Sequence, residues 1–251
     1  MTDANESGLA EIVIDAIDPS TMELWRTVAK VAATLEQADG RWCLVGGLMV
    51  ALFALEAGQQ QRVTTDIDIL GDARRRPSGT EWVTKRLQDL GATRHEISGF
   101  ESEKGFRFAV HGQTVDVLAP DGLRTPPKVD AQFTTIQIPG GSQALRRSEV
   151  VAIVVDGTRA LLRRPTLLGA ILLKARSLLV HSRPEDQRQD LITLLGLADD
   201  PRALRDETTA KERSWLRSAS DRLALDDRDL DALVDPASLR IARAAFARLT
   251  A

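Results

Sequence analysis

The chain has 251 residues, enough for one large domain or two small ones with a substantial core. Hydrophobic residues make up 43% and charged residues 27%, an ordinary soluble globular composition. The formal net charge of −3 excludes whole-molecule attraction to nucleic acid, so any such contact needs a local patch of Lys and Arg.

Cys43 is the only cysteine, so no intrachain disulfide forms, and its apolar run marks it as a small core side chain. The first twenty residues are acidic and lack a basic segment followed by an apolar one. No window approaches the roughly 18 uncharged apolar residues of a membrane span, so a cytoplasmic location without a membrane partner is expected.

In chain order, residues 1–18 are polar and acidic around Ile12-Val13-Ile14, and a loosely held start is expected. Asp18-Pro19-Ser20-Thr21 is a turn that can cap an amphipathic helix, Met22–Gln37. Trp42–Val45 reads as a buried strand, and Gly46-Gly47 as a tight turn into the apolar helix Leu48–Ala57. Glycine suits that turn because another group, such as a phosphate, can then approach backbone that a Cβ would block. Arg62–Leu70 ends in a sharply alternating strand and leads into a basic loop, Gly71–Gly79, carrying Arg74-Arg75-Arg76. A helix follows over about Thr80–Leu90, then a hairpin with its turn at His111-Gly112. Further strands are expected at Phe133–Ile138 and Val150–Val155.

From Thr158 the periodicity becomes helical with no further strand expected. The helices are Thr166–His181, Pro184–Leu197, Pro201–Asp206, Lys211–Leu223, Asp227–Leu233 and Pro236–Leu249. The chain therefore divides into an α/β (α+β) domain with a mixed, twisted sheet, residues 1–157, and an all-helical domain, residues 158–251.

The chemistry concentrates in the first part. Asp66 and Asp68 share one face of their strand and repel each other, which a fold tolerates when a cation, usually a divalent metal, lies between them. Asp116 stands between valines on a later strand. Singly, a Gly-Gly turn is just a turn, Asp-X-Asp a pair of solvated acids, and Asp116 an edge residue. Together they place three carboxylates on neighbouring strands beside a helix N-terminus, the arrangement a two-metal phosphoryl-transfer site requires.

The pattern Gly46-Gly47, Asp66-Ile67-Asp68 and Val115-Asp116-Val117 resembles the nucleotidyltransferase superfamily, the DNA polymerase β-like fold. A finer resemblance is to the AbiEii/MenT-like nucleotidyltransferase toxins, carried by Arg62-X-Thr64-X-Asp66-Ile-Asp68, Val115–Pro120, Lys174, Arg176 and Asp190-Leu191. It covers about residues 40–197. The resemblance implies Mg²⁺ at Asp66, Asp68 and Asp116, with Asp116 also helping to activate an incoming hydroxyl. It implies a nucleoside triphosphate (NTP) met by Gly46, Gly47, Arg62, Thr64, Lys174 and Arg176, and assigns the helical acid to Asp190 ahead of Asp186. It further implies an RNA acceptor, particularly a tRNA 3′ end, and a cognate antitoxin. Leu48 departs from the pattern, standing where many members of the superfamily carry a phosphate-binding Ser or Thr.

Other readings stay open at this point. The same fold can modify a small molecule such as an aminoglycoside, or persist as a non-catalytic binding protein. Lys174 is either an inward lysine with an anionic partner or a snorkelling surface residue. The triple arginine is either a solvated loop or a contact for an acceptor's phosphates. His95, His111 and His181 lack metal-ligand spacing, and no Walker A loop, nucleophile elbow, dinucleotide fingerprint or zinc set is present.

Overall fold

A computed structural model describes residues 9–15, 18–36, 41–59, 64–95, 104–180, 184–226 and 235–251. In chain order it runs β1 (Glu11–Ile14), α1 (Pro19–Leu35), β2 (Trp42–Val45), α2 (Gly46–Glu56), β3 (Asp66–Gly71), α3 (Gly79–Asp89), β4 (Thr93–Arg94), β5 (Arg107–Val110) and β6 (Gln113–Pro120). There follow β7 (Gln137–Ile138), α4 (Gly141–Arg146), β8 (Ser148–Val155), β9 (Thr158–Pro165), α5 (Leu167–Leu178), α6 (Pro184–Gly196), α7 (Pro201–Asp206), α8 (Ala210–Leu223) and α9 (Pro236–Thr250).

One sheet has the order β2-β3-β6-β5-β4, with β7 pairing the far end of β6; the other has the order β1-β8-β9. The larger sheet is mixed, since β3 runs parallel to β6 while β2–β3 and β5–β6 are antiparallel. This mixed α/β architecture with a helical C-terminal part is the fold class the sequence predicts.

Strand alternation sorts the core into two. Leu44, Ile67, Ile69, Val115 and Val117 turn toward α1 and α3, while Cys43, Val45, Leu70 and Leu118 turn toward α2 and the later helices. Asp66, Asp68 and Asp116 share a face with Leu70 and Leu118, so the acids emerge where the helical half covers the sheet. The helices are placed by ordinary local rules. Asp18 caps α1 by accepting the Ser20 and Thr21 N–H groups at 3.0 Å, and Thr166 caps α5.

Three expectations need correction. The part of the N-terminal segment that is described is held, because Glu11–Ile14 pairs in parallel with Ala152–Val155 and buries Ile12 and Ile14. Residues 158–165, expected to begin the helical part, form β9, the partner of β8 along its whole length, so the change to helix comes after Pro165. Its alternation is masked because Arg164 points inward, 3% exposed, pairing with Glu56 and Glu149 and lying 3.8 Å over the Phe53 ring. Of the strand expected at Phe133–Ile138 only Gln137–Ile138 is regular, while Thr134 makes isolated bridges to Lys104 and Lys128. The helix expected at residues 227–233 lies outside the described residues.

An ion pair helps to pin the helical half. Glu212 closes a reciprocal capping box with Thr209 and also receives Arg147, at 2.6 Å to Oε1 and 3.1 Å to Oε2. Removing one partner of a buried pair strands the other, so Glu212→Ala is expected to cost about 2–4 kcal/mol. Glu212→Gln, which keeps the capping acceptor, is expected to cost about half as much. Denaturant midpoints of the two variants decide; parity with the wild type in both would remove this pair from the junction.

Candidate active site

The site starts from backbone. β2 ends at Val45 in extended geometry, and Gly46 turns the chain into α2 with φ +73°, a region that favours glycine. A Cβ on Gly46 would lie 1.8 Å from Asp68 Oδ2, so the group that approaches this backbone is the Asp68 carboxylate itself. The register makes this unavoidable, since Val45 pairs with Asp68 across the two strands. The residue before α2, Val45, provides no side-chain cap, and both Gly46 and Gly47 line the cleft. Backbone amides at the positive end of a helix suit an anion.

The register of β3 on β6 sets Asp68 beside Asp116, and Asp66 two residues before it on the same face. Carboxylate oxygens of Asp66, Asp68 and Asp116 all lie within 4.8 Å of one another. Burial, followed by the charges of Asp66 and Asp116, pushes the Asp68 carboxyl up to about 7, against the pull of Lys174 and Arg107. Three hard oxygen donors crowded at one cleft wall fit a divalent cation such as Mg²⁺, whose charge would relieve the repulsion. Thr64 contributes by donating its hydroxyl to Asp66 Oδ1 at 3.1 Å.

Arg107 was not singled out in the sequence. Its guanidinium grips Asp116 with both donors, Nε to Oδ1 at 2.8 Å and Nη2 to Oδ2 at 2.6 Å, and it lines the cleft. The signal was present. His111 and Gly112 form a two-residue turn with φ 48° and 79°, and residues four positions out on each side, Arg107 and Asp116, must then face each other.

The opposite wall comes from α5 and α6. Lys174 is 3% exposed and faces inward, settling the choice against a snorkelling surface lysine. It pairs with Asp190 Oδ2 at 2.7 Å and donates to Gln187 Oε1 at 3.1 Å. An ammonium has three donors, so one remains for a ligand in the cleft. Asp190 is the acid that holds Lys174, whereas Asp186 lines the cleft itself. Gln187 was missed because neutral amides carry no charge pattern to read.

Arg176 is a correction. The resemblance placed it with Lys174 at the triphosphate, but residues two apart on a helix point to different faces. Its guanidinium lies 5.0 Å over the Trp215 ring, and its stem packs near Gly140. Arg62 and His181 lie outside the described residues.

Together these walls enclose a cleft of about 530 Å³. One side presents the three acids, Thr64, Arg107 and the two glycines, the other Lys174, Ser177, Asp186 and Gln187. Phe106, Leu118, Ile136, Ile138 and Leu173 form an apolar flank. A polar, charge-bearing end beside an apolar flank matches an ionic ligand with a flat organic part.

Comparison with protein-family models and with curated proteins finds no match. Among solved structures, the chain is similar to an antigenic nucleotidyltransferase-like protein from Paracoccidioides brasiliensis, with TM-score 0.46 and 14% identity over 87% of this chain and 93% of that one. It is also similar to the antibiotic-resistance factor ANT(2'')-Ia, with TM-score 0.36 and 15% identity over 91% of this chain and 90% of that one. Likeness at this level leaves the function of this chain to its own residues.

The crowded acids set a stability test. In metal-free buffer at pH 8, Asp68→Asn removes one repelling charge without changing shape. The expected gain of about 1 kcal/mol would raise the unfolding midpoint by roughly 2–4 °C. Added Mg²⁺ should raise the wild-type midpoint, by linkage, and leave Asp68→Asn nearly unmoved. Gly46→Ala, which drives a Cβ into the Asp68 carboxylate, should lose the Mg²⁺ response. Equal Mg²⁺ shifts in all three proteins would place the ion elsewhere.

Proposed function

We propose that this protein is a Mg²⁺-dependent nucleotidyltransferase that moves a nucleoside monophosphate from an NTP to an acceptor hydroxyl. The observation that carries the reading is the group of three carboxylates, within 4.8 Å of one another, beside the glycine-bearing N-terminus of α2 and across a cleft from a buried lysine. In the reaction, the acceptor oxygen bonds to the α-phosphorus, the bond to the bridging oxygen of the β-phosphate breaks, and pyrophosphate leaves. The acceptor's proton passes to a base, for which the Asp116 carboxylate is the candidate. Mg²⁺ held by Asp66, Asp68 and Asp116 would neutralise phosphate charge and align the attacking and leaving oxygens.

The chain's own residues do the rest. Amides of the Gly46-Gly47 turn and the remaining donor of Lys174 bind phosphate oxygens from opposite walls. Arg107 fixes the orientation of Asp116, and Asp190 fixes that of Lys174. The apolar flank of Leu118, Ile136, Ile138 and Leu173 supports the base and sugar and narrows access by water.

The acceptor assigned in this proposal is RNA, at a tRNA 3′ end, with the protein acting as the toxin of a toxin–antitoxin pair. That finer assignment is supported by the resemblance of residues 62–68, 115–120 and 174–191 alone. A small cationic acceptor of the aminoglycoside kind is the second reading, favoured by Asp186, which adds a fourth acid to the cleft lining.

The decisive experiment supplies purified protein with Mg²⁺, each labelled NTP in turn and total tRNA, alongside Asp66→Ala/Asp68→Ala. Label entering RNA only with the wild type is the expected outcome, with loss of at least about 10³-fold in the variant. NTP binding without transfer to RNA would shift the acceptor to a small molecule. No NTP binding would end the enzymatic reading.

A further inference from the structure

Some of the cations that the active cleft does not use gather at a second groove. It is about 700 Å³ in volume and its lining includes Arg74, Arg75, Arg146, Lys211, Trp215 and Gln143, together with Asp72 and Asp121. Arg74, Arg75, Arg146 and Lys211 are exposed, so four cations ring one groove on a chain whose formal net charge is −3.

The two acids there are occupied within the fold. Asp121 accepts the Gly140 and Ser142 N–H groups at 3.0 Å, which together with the Ser142 hydroxyl and Arg176 hold its carboxyl low despite burial. Asp72 accepts the Arg74 N–H at 3.1 Å and meets Arg75 at 3.5 Å. Lys211 lies 5.8 Å from the Trp215 ring centre, and Arg176 lies 5.0 Å over the same ring. The indole thus holds cations at the groove wall, an arrangement that presents charge and not a bare stacking face.

The groove is joined to the active cleft by shared elements. β3 carries Asp68 in the cleft, and Asp72 lies four residues further on, about 13 Å along extended chain. β6 links Asp116 to Asp121 in the same way, and α5 presents Lys174 and Ser177 to the cleft and Arg176 to Trp215. A polymer whose terminal hydroxyl sits at the acids would reach this groove within a few nucleotides.

We propose that the groove bounded by Arg74, Arg75, Arg146 and Lys211 binds the phosphodiester backbone of a nucleic-acid acceptor, upstream of the hydroxyl that reacts. The inference rests on the nucleotidyltransferase reading and deepens it. Contacts of this type position a strand without reading its bases. Arg76, the third residue of the arginine run, does not line the groove; it donates to the Arg75 carbonyl.

The test measures RNA binding by the full chain against salt concentration, for wild type and for Arg75→Ala/Arg146→Ala/Lys211→Ala. These exposed side chains lie outside the active cleft, and NTP binding by both proteins is measured in parallel. The expected result is at least tenfold weaker RNA binding in the variant, with NTP affinity unchanged. The log–log salt slope should flatten by about 2, at ~0.7 per single-strand phosphate contact. Unchanged RNA affinity and slope would overturn the proposal while leaving nucleotidyl transfer intact. Wild-type protein that binds NTP but no RNA would do the same, whereas loss of NTP binding by the wild type would overturn the underlying function. Polyglutamate competing as well as RNA of equal charge would assign the groove to an acidic protein partner instead.

Discussion

Mutual repulsion among Asp66, Asp68 and Asp116 is the constraint around which this molecule is arranged. Charges held within 4.8 Å of one another on a half-buried wall are unfavourable unless the surroundings answer them. The fold answers from two directions, with Arg107 fastened to Asp116 and Lys174 facing the group from α5. Neither cation neutralises the cluster, and the carboxyl of Asp68 is left well above its ordinary range. A site that keeps this imbalance is primed for a cation from outside.

Much of the neighbouring structure follows from holding those acids still. Gly46 has no side chain because the Asp68 carboxylate occupies the space a Cβ would need. Burial of Lys174 is supported by Asp190, 1% exposed, and Gln187, which take two of its three donors. Its charge also acts on Asp68 of β3, so the lysine couples the helical half to the sheet half electrostatically, at the same cleft where the second apolar core joins them by packing. Stability and the proposed chemistry share residues here, and the Glu212–Arg147 pair secures the same junction at a distance from the cleft.

The charge distribution extends this division of labour. Acids line the cleft wall where chemistry would occur, and basic side chains ring the groove just beyond the ends of β3 and β6. On a chain with a net charge of −3, this separation would let the proposed polyanionic acceptor approach one surface without closing over the clustered acids.

Local pattern was enough for much of this. Asp66 and Asp68 alternate with Ile67 and Ile69, so their shared face is dictated by the pleat alone, and the strand–Gly-Gly–helix turn is equally local. The two-residue turn at His111-Gly112 even determined that Arg107 opposes Asp116, although counting outward from the turn was needed to see it. Tertiary structure decided what depends on register and packing between distant segments. It paired Glu11–Ile14 with β8, turned Arg164 inward against Glu56 and Glu149, and brought Asp190 rather than Asp186 to Lys174. It also sent Arg176 to Trp215 and assembled a basic groove from residues 74 to 215, because side-chain partners so far apart in the chain leave no periodic trace in either segment.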